Sequence, residues 1–164
     1  FTPGAMINMQ PNVYCSNRPN SASMGTRAYN MAMFVVFESG LQMLCDNPTQ
    51  YYNNSECTDF ITKVPTTWDE TKVLNAKLGE VVIVAKRKGN KWYIGAMTNG
   101  SKRELDIKFD FLDSAKTYKI TYIEDGINAN RQAMDYRKKE KTVTSADSHH
   151  ISMAMNGGWA AIIE

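Results

Sequence analysis

Few residues in this sequence have the types and spacing that chemistry requires. Trp68-Asp69-Glu70 places two acids beside an indole, a combination that sugar sites use. No further acid stands at a defined distance, so the triplet reads first as a contact at a domain boundary. His149 and His150 are adjacent on a predicted strand, which turns their side chains to opposite faces and makes them a poor metal pair. An edge or surface role is expected for both. Asp125-Gly126-Ile127-Asn128-Ala129-Asn130 faintly resembles a calcium loop, but the EF-hand ligand order and its terminal Glu are absent, so a strand-to-strand loop is expected. Cys45 and Cys57 flank a Pro-containing loop and suit a disulfide only if their Cα atoms approach to about 4.4–6.8 Å, which spacing does not establish. The sequence has no Gly-rich phosphate loop, no HExxH, no GxSxG and no Cys-x-x-Cys.

Two basic clusters, Lys86-Arg87-Lys88 and Arg137-Lys138-Lys139, lie close in sequence to Trp92, Tyr93 and Tyr136. Phosphate contacts with base stacking are one use of such a pattern. Acids are interspersed throughout, however, and 19 basic against 17 acidic residues leave a formal charge of only +2. Solvated strand faces with edge lysines are therefore expected, and no nucleic-acid partner. At 43% hydrophobic residues the chain has the means to build a core. Three cysteines do not make a disulfide scaffold. The sequence opens Phe1-Thr2-Pro3-Gly4 without an initiator Met or a leader, so an excised or processed piece is expected.

The elements that must position these residues change style near Lys63-Val64-Pro65. Before it, Pro3-Gly4, Pro11-Asn12 and Arg18-Pro19-Asn20-Ser21 are turn chemistry. From Thr26 to Cys45 the spacing predicts a helix: Ala28, Met31, Ala32, Val35 and Val36 share a face, and Met33, Phe34, Phe37 and Leu41 cover most of the rest. Arg27, Asn30, Glu38 and Gln42 interrupt it, so it reads as a buried core helix and not a membrane span. Asp46-Asn47-Pro48 is expected to end it, and a second helix is expected over Ser55–Thr62, capped by Ser55. A helix apolar nearly all round needs partners, expected to come from a region preceding Phe1. After Pro65 the period becomes two. Strands are predicted near Thr71–Leu74, Val82–Ala85, Trp92–Met97, Leu105–Phe111, Tyr118–Tyr122, Arg137–Thr144, His150–Met155 and Trp159–Ile163, with a tight turn at Gly89-Asn90. About eight short strands are the pattern of an all-β sandwich.

The run Phe34-Val35-Val36-Phe37-Glu38-Ser39-Gly40-Leu41-Gln42-Met43-Leu44-Cys45-Asp46-Asn47-Pro48, together with Phe1-Thr2-Pro3-Gly4-Ala5-Met6, Gly25-Thr26-Arg27-Ala28 and Val64-Pro65-Thr66-Thr67-Trp68-Asp69-Glu70-Thr71, resembles the end of glycoside hydrolase family 97. The resemblance continues through Gly79-Glu80, Ala85-Lys86-Arg87-Lys88-Gly89, Trp92-Tyr93-Ile94-Gly95-Ala96-Met97 and Asp125-Gly126-Ile127-Asn128-Ala129, and so covers essentially the whole chain.

What it implies is an α+β fragment: residues 1–63 as the last strand and helix of a catalytic (β/α)8 TIM barrel, then residues 64–164 as an all-β C-terminal sandwich. The family implies an exo-acting α-glucosidase or α-galactosidase, periplasmic in a Gram-negative bacterium and dependent on calcium. Its oligosaccharide substrate lies between paired carboxylates about 5–5.5 Å apart in retaining enzymes and about 6.5–9.5 Å apart in inverting ones. None of the family's catalytic acids or calcium ligands maps onto this chain, so both are expected upstream. Barrel sites lie at the C-terminal ends of strands. By the resemblance, Thr2, Gly4 and Met6 are expected near the sugar, in shaping roles. The competing expectation is a non-catalytic sandwich module for carbohydrate binding or homo-oligomer formation, supported by Trp68, Trp92 and Tyr93.

Overall fold

The computed structural model describes residues 2–15 and 22–164; Phe1 and the expected turn at Arg18-Pro19-Asn20-Ser21 lie outside the described residues. The first described segment contributes a two-residue parallel pair, β1 (Asn8–Met9) with β2 (Ser23–Met24). Thr26 then caps helix α1 (Arg27–Val36), its side-chain oxygen accepting from the Tyr29 N–H at 3.1 Å. Helix α1 ends well before the expected Cys45. Phe37 turns to φ −80°, ψ 142°, and Ser39-Gly40, both weak helix formers, follow. The Val36 carbonyl, left without an intrahelical donor, accepts from Lys86 Nζ at 3.2 Å.

Asp46-Asn47-Pro48 begins a helix and does not terminate one. In α2 (Pro48–Asn53) the Asn47 side chain accepts from the Gln50 N–H, and Pro48 sits at the first turn, where its missing N–H costs nothing. The next helix, α3 (Ser55–Ile61), has Asn54 as its N-cap residue, so Ser55 lies inside the helix and is not the cap. No helix among the described residues is long and apolar enough to cross a membrane.

All eight strands predicted after Pro65 form: β3 (Glu70–Lys77), β4 (Val81–Lys88), β5 (Lys91–Thr98), β6 (Arg103–Lys108), β7 (Tyr118–Asp125), β8 (Tyr136–Val143), β9 (Ser148–Met153) and β10 (Gly158–Ile163). They make an antiparallel six-stranded sheet in the order β3-β4-β5-β10-β7-β8, and a facing pair, β6-β9. Gly89 takes φ +60° in the two-residue β4–β5 turn, as the first position of a II′ hairpin requires.

The six-stranded sheet is buried on both sides. Ile83, Ile94, Trp159 and Ile163 face Ile107, Phe109, Ile151 and Met153 in an inner core between the two sheets. Val84, Tyr93, Met97, Ala160 and Ile162 face Met31, Ala32, Phe34 and Val35 of α1 on the other side. Double-sided burial explains why Val82-Ile83-Val84-Ala85 and Trp159-Ala160-Ala161-Ile162-Ile163 are continuous apolar runs, without the alternation of a half-exposed strand. It also corrects the expectation that α1 must find its partners outside these residues. Arg27, Ala28, Asn30, Met31, Ala32, Phe34 and Val35 are all buried within the chain. The sheet receives the helix at two glycines. A Cβ on Gly95 would stand 2.8 Å from Val36 Cγ2, and one on Gly158 would stand 2.5 Å from Tyr29 Cα.

Candidate functional site

The segment expected to border a ligand, Thr2 to Met6, is fixed by the stretch before and within α2. The Tyr51 hydroxyl donates to the Gly4 carbonyl at 3.1 Å and accepts from the Asp46 N–H at 2.9 Å. Burial raises the Tyr51 pKa to about 12, so it stays a neutral donor. Asp46 Oδ2 accepts from the Met6 N–H at 3.0 Å. Gly4 adopts φ +94°, a left-handed conformation that favours glycine. Of the three expected residues, Thr2 is exposed, whereas Gly4 and Met6 are buried. The Met6 side chain packs in the helix-side core.

Behind that segment lies a polar seam that sequence reasoning missed. Arg27 is 2% exposed. Its guanidinium donates to Asn8 Oδ1 at 2.6 Å, to Asn54 Oδ1 at 3.0 Å and to the Met6 carbonyl, and it stands 5.6 Å from the Tyr136 ring centroid. Gln10, equally enclosed, donates to the Ala129 and Met155 carbonyls, both at 2.9 Å, and accepts from Asn156. At the other end of α1, buried Lys86 lies 3.1 Å from Glu38 and 5.4 Å above the Trp68 ring. Only parity offered a signal for Lys86: it follows Val82 and Val84 on the face that the helix covers.

The residues singled out in the sequence separate into structural contacts. Trp68 packs edge-on against Tyr93 with centroids 5.3 Å apart. The Gly89 N–H and Lys88 hold Asp69 below the usual carboxylate range, and Arg87 does the same for Glu70. The triplet therefore joins the helix end to the β4–β5 hairpin. In the second basic cluster, Arg137 and Lys139 meet Glu124, and Lys138 meets Glu56. His149 and His150 do point apart. His150 is exposed and 2.9 Å from Asp106. His149 lies on an edge strand, as expected, but is half-buried against Tyr122 and Trp159 and is not a surface residue. Burial and neighbouring Lys141 lower its pKa to about 4. Cys15, Cys45 and Cys57 are free thiols.

Asp125 departs from the other acids. It is 5% exposed, and its Oδ2 accepts from the Ala154 and Gly158 N–H groups at 2.9 and 3.1 Å. Oδ1 has no hydrogen-bond partner. Burial raises its pKa to about 6, the range of a general acid. Its hydrogen bonds make it a strut that fixes the β9–β10 turn at the start of α1, although it also borders a cleft of about 420 Å³ shared with Glu124, His149 and His150. Elsewhere, ion pairs or backbone hydrogen bonds hold Glu80, Glu104, Asp113, Glu140, Asp147 and Glu164 below the usual range, which suits anchoring and not proton donation. Among the described residues no three His, Cys, Asp or Glu side chains come together as a group that could hold a metal ion.

A different kind of surface lies at the outer edge of the sheet. A shallow, mainly apolar groove of about 400 Å³ runs between the first turn of α1 and the β3–β4 hairpin, lined by Tyr29, Ala76, Leu78, Val82 and Met97 among others.

Comparison with known proteins identifies the family. Residues 67–164 match the family described as Glycosyl-hydrolase 97 C-terminal, oligomerisation. Over 164 residues the chain is 38% identical to a retaining alpha-galactosidase of Bacteroides thetaiotaomicron, spanning 100% of this chain and 25% of that protein. A probable retaining alpha-galactosidase of Streptomyces bingchenggensis is 27% identical over 162 residues, 99% of this chain and 23% of its own length. Among solved structures, a glycoside hydrolase family 97 enzyme from Pseudoalteromonas sp. strain K8, in complex with acarbose, superposes with a TM-score of 0.82 at 32% identity, over 85% of this chain and 22% of that one. The chain thus spans about a quarter of the length of the curated relatives it matches.

Proposed function

The chain belongs to glycoside hydrolase family 97, as a C-terminal portion of such an enzyme, and from that premise we propose that the complete protein is an exo-acting α-glycosidase. α-Galactosidic bonds are its first substrate class and α-glucosidic bonds the alternative. The observation that carries this reading is the 38% identity to a retaining alpha-galactosidase, which runs the full length of the chain.

In this reading residues 1–63 are the last strand and helix of the catalytic (β/α)8 barrel, and residues 64–164 are the C-terminal sandwich. A retaining reaction needs two carboxyl groups about 5–5.5 Å apart, one as nucleophile and one as acid and then base. Both are assigned to the part of the enzyme outside this chain, since most acids here are held in ion pairs or hydrogen bonds and Asp125 is buried as a strut. Thr2, Gly4 and Met6 border the sugar in shaping roles. Thr2 is the one whose side chain is free to meet it, while Gly4 and Met6 set the backbone that presents it. Calcium belongs to the remainder of the enzyme, and no step is assigned to it here. Export to the periplasm follows the family. The sandwich also carries an assembly role, a second reading favoured by the family's own description as an oligomerisation domain.

The test compares the complete enzyme with the 164-residue chain on 4-nitrophenyl α-galactoside and α-glucoside. Cleavage by the complete enzyme only, with the α-galactoside preferred, is expected. Hydrolysis by the isolated chain at a similar rate would overturn the proposal.

A further inference from the structure

The assembly reading leaves open which surface of the sandwich meets a second copy. Within residues 67–164 the large hydrophobic side chains that stand exposed are Val73, Leu78 and Ile127, and two of these three lie on β3 and the turn that follows it. Leu78 is exposed as fully as in an open chain, at 102%.

The arrangement follows from a break in the β3 register. Val73 pairs with Val84, and after the irregularity between Val73 and Asn75, Ala76 pairs with Val82. Strict alternation would have put Val73 and Ala76 on opposite faces; the bulge puts both on the helix side. There Ala76 lines the groove with Tyr29, Val82, Met97 and Leu78, and Val73 stands exposed beside Val84 further along the same face. Exposed apolar area in a continuous patch marks an interaction surface.

Two cations at its rim share one carboxylate. Lys77 lies 2.6 Å from Glu80, and Arg103 lies 2.8 Å from the same carboxylate. One net positive charge per copy remains there, and the strip has the apolar centre and polar rim of a protein interface. The opposite edge of the sheet differs. Strand β8 carries Arg137, Lys138, Lys139 and Lys141, the basic edge that resists self-pairing.

We propose that the Val73–Ala76–Leu78 strip is the face on which a second copy of this chain seats, about a two-fold axis that places Leu78 of each copy in the groove of the other. This rests on the assembly reading above. The occupant is a second copy because the matched family is described by oligomerisation, and because a self-complementary contact needs a knob and a hole on the same patch. Leu78 and the groove beside it supply both.

The experiment is sedimentation velocity of the complete enzyme over a concentration series, for wild type, L78D and V73K, with 4-nitrophenyl α-galactoside hydrolysis measured in parallel. The wild type is expected to sediment as a dimer or a multiple of it. L78D is expected to raise the dissociation constant about 100-fold or more, since it buries a charge twice per interface, and V73K somewhat less. Activity is expected to stay at the wild-type level in dissociated enzyme. A wild type that is monomeric at every concentration overturns the proposal and leaves the glycosidase reading standing. An oligomer that both variants leave intact overturns the placement alone. Variants that melt early as monomers also overturn it, because they show that the rest of the same polypeptide covers the strip.

Discussion

The two faces of the six-stranded sheet are built on different principles. The inner core, between this sheet and β6-β9, is hydrocarbon and aromatic throughout; even the Trp159 indole N–H there has no partner. The helix side combines an apolar cluster with Asn8, Gln10, Thr26, Arg27, Asn30, Lys86 and Asp125, all buried. Apolar packing is strong but forgiving in direction, whereas buried polar groups are satisfied in one arrangement only. The inner core therefore holds the sandwich together. The seam fixes where the helix and the segment before it sit on that sandwich, and with them the residues expected to shape a sugar site.

Substitutions that strike one face and spare the other test this division. In the inner core, Trp159→Ala should cost about 3–5 kcal/mol and unfold the sandwich as a whole in urea titration. In the seam, Arg27→Met strands the buried acceptors on Asn8 and Met6, at about 1–3 kcal/mol for each one left unpaired. Its signature is different: amide exchange should speed up in α1 and the Thr2–Met6 segment while β5 and β10 stay protected. Equal acceleration in all of these would erase the distinction.

Acid separates the faces by sign. The raised pKa of Asp125 means its folded form holds a proton that the unfolded chain has lost. It therefore adds stability below about pH 4, and that contribution disappears as pH rises through about 6. His149 is lowered to about 4, so its contribution is present above the unfolded value near 6.5 and disappears as pH falls through about 4. The two largely offset each other in the wild type between pH 4 and 6.5. Asp125→Asn should leave a protein that weakens steadily on acidification, and His149→Phe one that strengthens; thermal melts at half-unit pH steps would read both slopes. The smallest expected effect is Gly158→Ala, whose Cβ must push against Tyr29 backbone atoms at 2.5 and 2.7 Å. About 1–3 kcal/mol is expected, with loosened α1 exchange as its mark.

The strands were legible because alternation and turn residues act locally: Leu105-Asp106-Ile107-Lys108-Phe109 and the Gly89-Asn90 turn each specify their own geometry. The helix end was not. Phe37, Leu41 and Met43 continue the apolar pattern of α1, but the Val36 carbonyl meets Lys86, fifty residues on, and no local pattern encodes that encounter. The ends of α1 and the start of α2 were misread for a related reason, since Pro48 serves a first turn as readily as it ends a preceding helix. Asp125, Gln10 and Arg27 were invisible as a group because each looks like an ordinary polar residue in its own stretch. Only the packing of α1 on Gly95 and Gly158 brings them together.

If, as proposed above, this chain helps position a glycosidase site without supplying its catalytic acids, Asp125, with its pKa raised to about 6, is the residue that tests it most sharply. The direct measurement is the pH dependence of kcat/KM for the complete enzyme carrying Asp125→Asn, on 4-nitrophenyl α-galactoside at a temperature where the variant stays folded. A profile with both limbs where the wild type has them, and a rate within a fewfold of it, is expected. Loss of either limb, or a fall of about a thousandfold in rate, would place the catalytic acid in this chain and contradict the account.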